Sequence, residues 1–280
     1  MMLIMNKPRP SPDPTEPAMS TLPTVLITGA STGIGAVYAD RYARRGHDLV
    51  LVARDLTRLQ ALAARLSADY GVRAEPLQAD LADPAQLARV ERLLRDDARI
   101  GVLVNNAGAT LPGGFLDQTP EQTAQLIALN VTAPTRLAAA IAPRLAAAGT
   151  GAIVNLASVV GLAPEFGMSV YGATKAFVQY LSQSLQGEIG GQGVYVQAVL
   201  PAATRTEIWE RSGRDVEQIP GVMEVDALVD AALAGYDRRE PVTIPPLHDE
   251  TLWQAADAAR KAMLPHYSQS LPAPRYLAGG

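Results

Sequence analysis

The 280-residue chain is 48% apolar and 19% charged, which supplies material for a sizeable core and argues against intrinsic disorder. Its formal charge of −4 gives no electrostatic footprint for nucleic acid. With no cysteine, and with His47, His248 and His266 in no ligand-like spacing, disulfides and thiolate metal sites are excluded and no metal is expected.

Residues 1–22 hold Pro8, Pro10, Pro12, Pro14 and Pro17. Proline at that density blocks helix and sheet hydrogen bonding, so this stretch is expected to be a disordered extension. No run approaches the roughly 20 apolar residues that span a bilayer. The apolar start, 1–5, is too short for a signal-peptide core. A cytoplasmic location with no membrane partner is the expectation.

Residues 24–28, T-V-L-I-T, predict a buried strand. Gly29, Gly33 and Gly35 then punctuate a turn that opens a helix running to about Arg45. Strand, glycine-rich turn and helix together make a phosphate cradle, because glycine lets the backbone approach a pyrophosphate and a helix N-terminus offers unpaired N–H groups. The spacing is G-x-x-x-G-x-G rather than G-x-G-x-x-G. A second strand, 48–53, ends at Ala53-Arg54. An acidic residue there would accept from an adenine ribose hydroxyl, whereas a guanidinium suits a 2′-phosphate. The phosphorylated dinucleotide, NADP(H), is therefore expected.

Helix 56–69, strand 73–79 and helix 84–98 follow, then a strand at 101–104 that runs into Asn105-Asn106-Ala107-Gly108. Small and amide residues at a strand's C-terminal end suit a ligand crevice. A long helix is predicted over 119–145 with Asn130 inside it. Strand 152–157 delivers Ser158. Helix 170–189 carries Tyr171 and Lys175, one turn apart on a shared face. Beside an ammonium a phenol ionises more readily, which makes Tyr171 a candidate proton donor and acceptor. A last strand, 194–200, ends at Pro201. Alternating strands and helices imply an α/β fold, with a parallel sheet covered on both faces.

Taken in order, T-G-A-S-T-G-I-G at 28–35, Asp80-Leu81, N-N-A-G at 105–108, Asn130, Ser158 and Y-G-A-T-K at 171–175 resemble the short-chain dehydrogenase/reductase family, over roughly residues 24–244. The resemblance implies a single Rossmann-type doubly wound domain over 23–245. The tail over 246–280 is longer than the family core requires and is expected to be partly helical. The resemblance also implies an enzyme that interconverts a carbonyl and a secondary alcohol with NADP(H). By the same resemblance Tyr171 is the acid/base, and Lys175 holds the nicotinamide ribose and lowers the tyrosine pKa. Ser158 bonds the substrate oxygen, and Asn130 supports a proton relay. Gly29, Ser31, Gly33, Ile34, Gly35, Arg54, Asp80, Leu81, Asn106, Ala107, Gly108, Pro201 and Thr206 are the implied cofactor contacts. Arg54 and Ser31 would take the 2′-phosphate.

One departure stands out. The family's Pro-Gly after the last strand is here Pro201-Ala202, and alanine lacks glycine's freedom at positive φ, so a differently shaped turn is expected. Leu111, Phe115, Leu162, Phe166, Met168, Ile208 and Trp209 form the expected apolar wall for a medium-sized small-molecule substrate. Residues 202–222, mixing glycines and charges around Ile208-Trp209, are expected to form a lid. Relatives pair long helices, so a homodimer or homotetramer is expected. Use of the unphosphorylated cofactor, or a silent dinucleotide sensor, are the alternatives.

Overall fold

A computed structural model of the chain describes residues 22–207 and 216–277. The expected N-terminal extension falls almost wholly outside these residues, as do Ile208 and Trp209. The chain divides after Pro245 into two units.

The first unit holds one seven-stranded sheet of β1 (Thr24–Thr28), β2 (Leu49–Ala53), β3 (Ala74–Gln78), β4 (Ile100–Asn105), β5 (Ala152–Leu156), β6 (Tyr195–Val199) and β7 (Val242–Thr243). Their order is β3-β2-β1-β4-β5-β6-β7, and every pairing is parallel. Strands β1, β2, β5 and β6 are buried at every position, which is why they read as mostly apolar runs rather than as alternating patterns. Alternate residues point to opposite faces. Val25 and Ile27 pack with Tyr38, Tyr42, Leu59, Leu66, Val229 and Leu233. Those six belong to α1 (Gly33–Arg44), α2 (Leu56–Tyr70) and α7 (Val225–Asp237). Leu26 faces the other way, into Leu87, Val90, Leu94, Leu137 and Ile141 of α3 (Pro84–Asp96) and α5 (Ala133–Ala148). Helix α6 (Ser169–Ile189) adds Leu185 to that layer.

The chain builds outward from β1 to β3, then returns to place β4 on the other side of β1. That reversal opens a crevice at the C-terminal ends of β1 and β4.

The helix expected over 119–145 is interrupted. Helix α4 (Pro120–Ile127) starts at a capping box, in which Gln122 N–H donates to Thr119 Oγ1 and Thr119 N–H to Gln122 Oε1. A wide π turn, Ala128–Thr132, then separates α4 from α5, with Ala133 N–H reaching back to the Ala128 carbonyl. Pro134 explains the break. It has no N–H to give the carbonyl of residue i−4, which is Asn130. As one helical run, Pro120–Ala148 is long and apolar enough to cross a membrane, which corrects the expectation that no segment approaches that length. Leu137, Ile141 and Leu145 of this run are buried in the core.

In the second unit, α8 (Glu250–Ala262) is capped by Asp249, whose carboxylate accepts from Thr251 N–H at 3.0 Å. No residue of that helix is buried.

Asn105 and Asn155 are register partners on β4 and β5. Asn105 Nδ2 donates to Asn155 Oδ1, and Asn155 Nδ2 to Ser182 Oγ on α6, both at 2.9 Å. All three residues are buried. Asn155→Ala would leave two buried groups short of a partner, at about 1–3 kcal/mol. The expected result is a thermal midpoint lower by about 3–10 °C, measured by calorimetry; an unchanged midpoint would contradict the role assigned to this chain of bonds.

Candidate active site

Two glycines let the crevice close to backbone contact. Gly29 has φ +65, and a Cβ there would lie 2.9 Å from Ala107 Cα. A Cβ at Gly35 would lie 2.2 Å from the Gly29 carbonyl and 2.5 Å from Asn106 Nδ2. Asn106 and Thr28 lock this approach. Asn106 Nδ2 donates to the carbonyls of Thr28 (2.9 Å) and Gly29 (3.2 Å). Thr28 Oγ1 accepts from the N–H groups of Asn106 and Ala107, both at 3.0 Å. Thr32 caps α1 with no side-chain bond, so the N–H groups of Gly33, Ile34 and Gly35 keep no helical acceptor.

Ala30 N–H donates to the Val52 carbonyl at 3.2 Å. This brings Ser31 to the end of β2, where Arg54 is exposed. The Arg54 guanidinium makes no ion pair among the described residues, while its carbonyl accepts from Gln78 Nε2. Asp80 lies at the end of β3, its carboxylate accepting from Ala82 N–H at 2.9 Å, and Leu81 is buried beside it. The Pro201 carbonyl accepts from Val159 N–H at 2.9 Å. The Thr206 methyl lies 3.3 Å from where a Gly33 Cβ would be.

Ala202 does not need glycine's freedom. Arg239 is the one non-glycine with positive φ among the described residues, so the turn after Pro201 accommodates alanine without strain. The ends of the expected lid are tied together: Met223 N–H donates to the Ala203 carbonyl and Arg205 N–H to the Met223 carbonyl, both at 2.9 Å. Residues 208–215 lie outside the described residues.

Ser158, Tyr171, Lys175 and Asn130 converge at the same end of the sheet. Ser158 is buried just beyond β5; its hydroxyl donates to the Pro201 carbonyl at 3.2 Å and accepts from Val160 N–H. Lys175 is only 6% exposed. Its Nζ donates to the Leu156 carbonyl at 2.7 Å and lies 5.8 Å from the Tyr171 ring centre. Asn130 is fixed at three points. Its Oδ1 accepts from Ala109 N–H at 3.0 Å, and its Nδ2 donates to the Ala109 carbonyl at 2.9 Å and to Thr174 Oγ1 at 3.1 Å. Asn130 Oδ1 and Lys175 Nζ each lie 3.4 Å from where a Gly108 Cβ would stand.

The electrostatics differ from expectation. Tyr171 was expected to ionise easily beside Lys175. Burial instead pushes its phenol up to about 12, with the Ser158 hydroxyl acting weakly in the other direction. Burial also pulls the Lys175 ammonium down to about 8. The low-dielectric surroundings disfavour both charged forms at once, and without the positive ring of an oxidised nicotinamide this outweighs the attraction between them.

Sequence reasoning missed Thr28 and Thr174, the hydroxyls that brace Asn106 and Asn130. Each adjoins a residue it did single out, Gly29 and Lys175. It also missed Arg58 on α2, whose Nη1 donates to both carboxylate oxygens of Glu207 at 2.9 Å.

The chain belongs to the short chain dehydrogenase family, whose pattern matches residues 23–217. A short-chain dehydrogenase from Sphingobium yanoikuyae, in complex with NADPH, is 66% identical, with TM-score 0.90 over 91% of this chain and 100% of that one. The bulky-bulky ketone specific alcohol dehydrogenase from Comamonas testosteroni is 54% identical, with TM-score 0.86 over 92% of this chain and 100% of that one. Very-long-chain 3-oxoacyl-CoA reductase-A of Danio rerio is 32% identical over 65% of this chain and 58% of its own length. The chain thus spans less than two thirds of that curated relative.

The buried amine is directly observable. The chain has three lysines, Lys7, Lys175 and Lys261. With ¹³Cε-labelled lysine, one signal of the cofactor-free protein should titrate near pH 8, charged below and neutral above. Three signals that all titrate near the ordinary ~10.4 would contradict the burial argument.

Proposed function

We propose that the protein transfers hydride between NADP(H) and a ketone or secondary alcohol with two sizeable apolar substituents. The observation that carries this is the convergence of Ser158, Tyr171, Lys175 and Asn130 beside the glycine turn and the N-terminus of α1, whose first N–H groups suit a pyrophosphate.

The residues fit the dinucleotide. A side chain at Gly29 or Gly35 would collide with Ala107, Asn106 or the Gly29 carbonyl, so the turn keeps its shape only with glycine there, and the first N–H groups of α1 are left for a pyrophosphate. Arg54, exposed and without an ion pair among the described residues, suits a 2′-phosphate together with Ser31. Asp80 and Leu81 would border the adenine. Asn106, Ala107, Gly108, Pro201 and Thr206 would line the path to the nicotinamide. The bound dinucleotide supplies or takes up the hydride.

The protein's own part is proton transfer and charge placement. Tyr171, held neutral by burial, is ready as a proton donor to a carbonyl oxygen in the reducing direction. Ser158 donates to the same oxygen as negative charge develops, a contact worth roughly 2.7–4 kcal/mol. The phenolate left on Tyr171 has the Lys175 ammonium as counter-charge. Oxidation needs that phenolate first, so its rate rises with pH, while reduction needs the phenol and slows as pH rises. Asn130 acts on the backbone, pinning Ala109 against Thr174.

Phe115, Leu116, Leu162 and Phe166 are exposed apolar side chains on the segments after β4 and β5. They favour a large apolar substrate, as does the similarity to the Comamonas enzyme. The exposed rings of Phe177 and Tyr180 on α6 support a homo-oligomer. No observation favours the silent sensor.

Fluorescence titration should give tighter binding of NADPH than of NADH. A ketone panel should give turnover that favours two bulky substituents over acetone-like ketones. Tyr171→Phe should lower turnover about 10²–10⁴-fold with NADPH affinity nearly intact. Binding without turnover of any ketone or alcohol would overturn the enzymatic reading.

A further inference from the structure

Arg58, paired with Glu207, lies four residues beyond Arg54, the residue proposed to seat the 2′-phosphate. Arg58 stands in the first turn of α2, and its N–H donates to the cap carboxylate of Asp55 at 3.0 Å. Its backbone is thereby fixed, while the Ala30–Val52 bond brings Ser31 to the end of β2 that leads into Arg54. Glu207 arrives from the far end of the chain. It follows Thr206, whose methyl rests by Gly33. The pair therefore ties the segment after β6 to the start of α2, alongside the glycine turn.

Three properties make this contact exchangeable. Both side chains are half-exposed, at 50% and 40%, so the pair is weak. One nitrogen, Nη1, serves both carboxylate oxygens, so the forked geometry that makes arginine pairs strong is not used. Arg58 also has a second carboxylate, with Nε 3.5 Å from Asp55 Oδ2. Asp55 is committed as the cap of α2 and cannot leave without fraying the helix. A phosphate arriving beside Arg54 would meet two carboxylates around Arg58, and the one on the loop is the one able to withdraw.

We infer that Glu207 is a placeholder for the cofactor's 2′-phosphate. It holds Arg58 in the cofactor-free protein and yields it when the phosphorylated ribose binds, so that Arg58 joins Arg54 as a specificity residue. This rests on the reading that NADP(H) binds with its 2′-phosphate at Arg54. Glu207 then lowers NADP(H) affinity through competition and has no effect on NAD(H), which brings no phosphate to compete.

The test is a set of dissociation constants for NADPH and NADH, measured by fluorescence titration on the full chain. The variants are Glu207→Gln, Arg58→Gln and the double substitution, each checked for folding by circular dichroism. Glu207→Gln should tighten NADPH by about two- to fivefold, the scale of an exposed ion pair, and leave NADH unchanged. In the Arg58→Gln background the same change should have no effect, because the two act through one contact. Equal effects on both dinucleotides, weaker NADPH binding in Glu207→Gln, or no change would each overturn the placeholder role. If the unmodified protein does not prefer NADPH, the cofactor reading fails and takes this inference with it. If that preference stands while Glu207 is inert, only this inference fails.

Discussion

A buried ammonium organises the centre of this protein. Lys175 Nζ sits among backbone and amide groups, with the Leu156 carbonyl 2.7 Å away. Burying a charge without a carboxylate partner is costly, and the cost shows as an amine drawn down to about 8. The neighbouring structure is shaped to tolerate it. Asn130 Oδ1 and Lys175 Nζ come to van der Waals distance of where a Gly108 side chain would stand. Gly161 must lack a side chain, since its Cβ would come within 2.6 Å of Ala176 N on α6. That absence lets α6 bring its lysine to the ends of β4 and β5. The result is an amine held 5.8 Å from the Tyr171 ring centre, where the phenolate of the proposed mechanism would need a partner.

The sheet topology supplies the other half of the site. Because β4 returns to the opposite side of β1, the loops after these strands meet across one crevice. Thr28 and Asn106 stitch those loops together through four bonds. The glycine turn and the proposed proton-transfer groups therefore belong to one frame. Hydride transfer tolerates little misplacement, so such pre-positioning is where the fold contributes most.

Much of this was legible in the sequence because it is local. Apolar runs such as L-V-L-V announced buried parallel strands. Glycines between a strand and a helix announced the cradle. Tyr171 and Lys175, one turn apart, announced a shared face. The π turn at Asn130 was equally local but was overlooked: Pro134 had already removed the N–H that the Asn130 carbonyl would have used. What could not be read was set by tertiary contact. The Arg58–Glu207 pair joins residues 149 apart. The tyrosine pKa depends on how deeply the final fold buries it, and proximity to Lys175 alone gave the wrong direction for the cofactor-free protein. Ala202 looked like a disruption only because its φ was unknown.

In the proposed mechanism one lysine both fills the buried site and tunes the acid/base. The direct measurement is a pair of pH–rate profiles for alcohol oxidation at saturating cofactor, for the unmodified protein and for Lys175→Met. If the ammonium stabilises the phenolate of Tyr171, the rising limb moves to higher pH when the charge is removed. Coincident limbs that differ only in amplitude would contradict the claim and leave Lys175 as a positioning group alone.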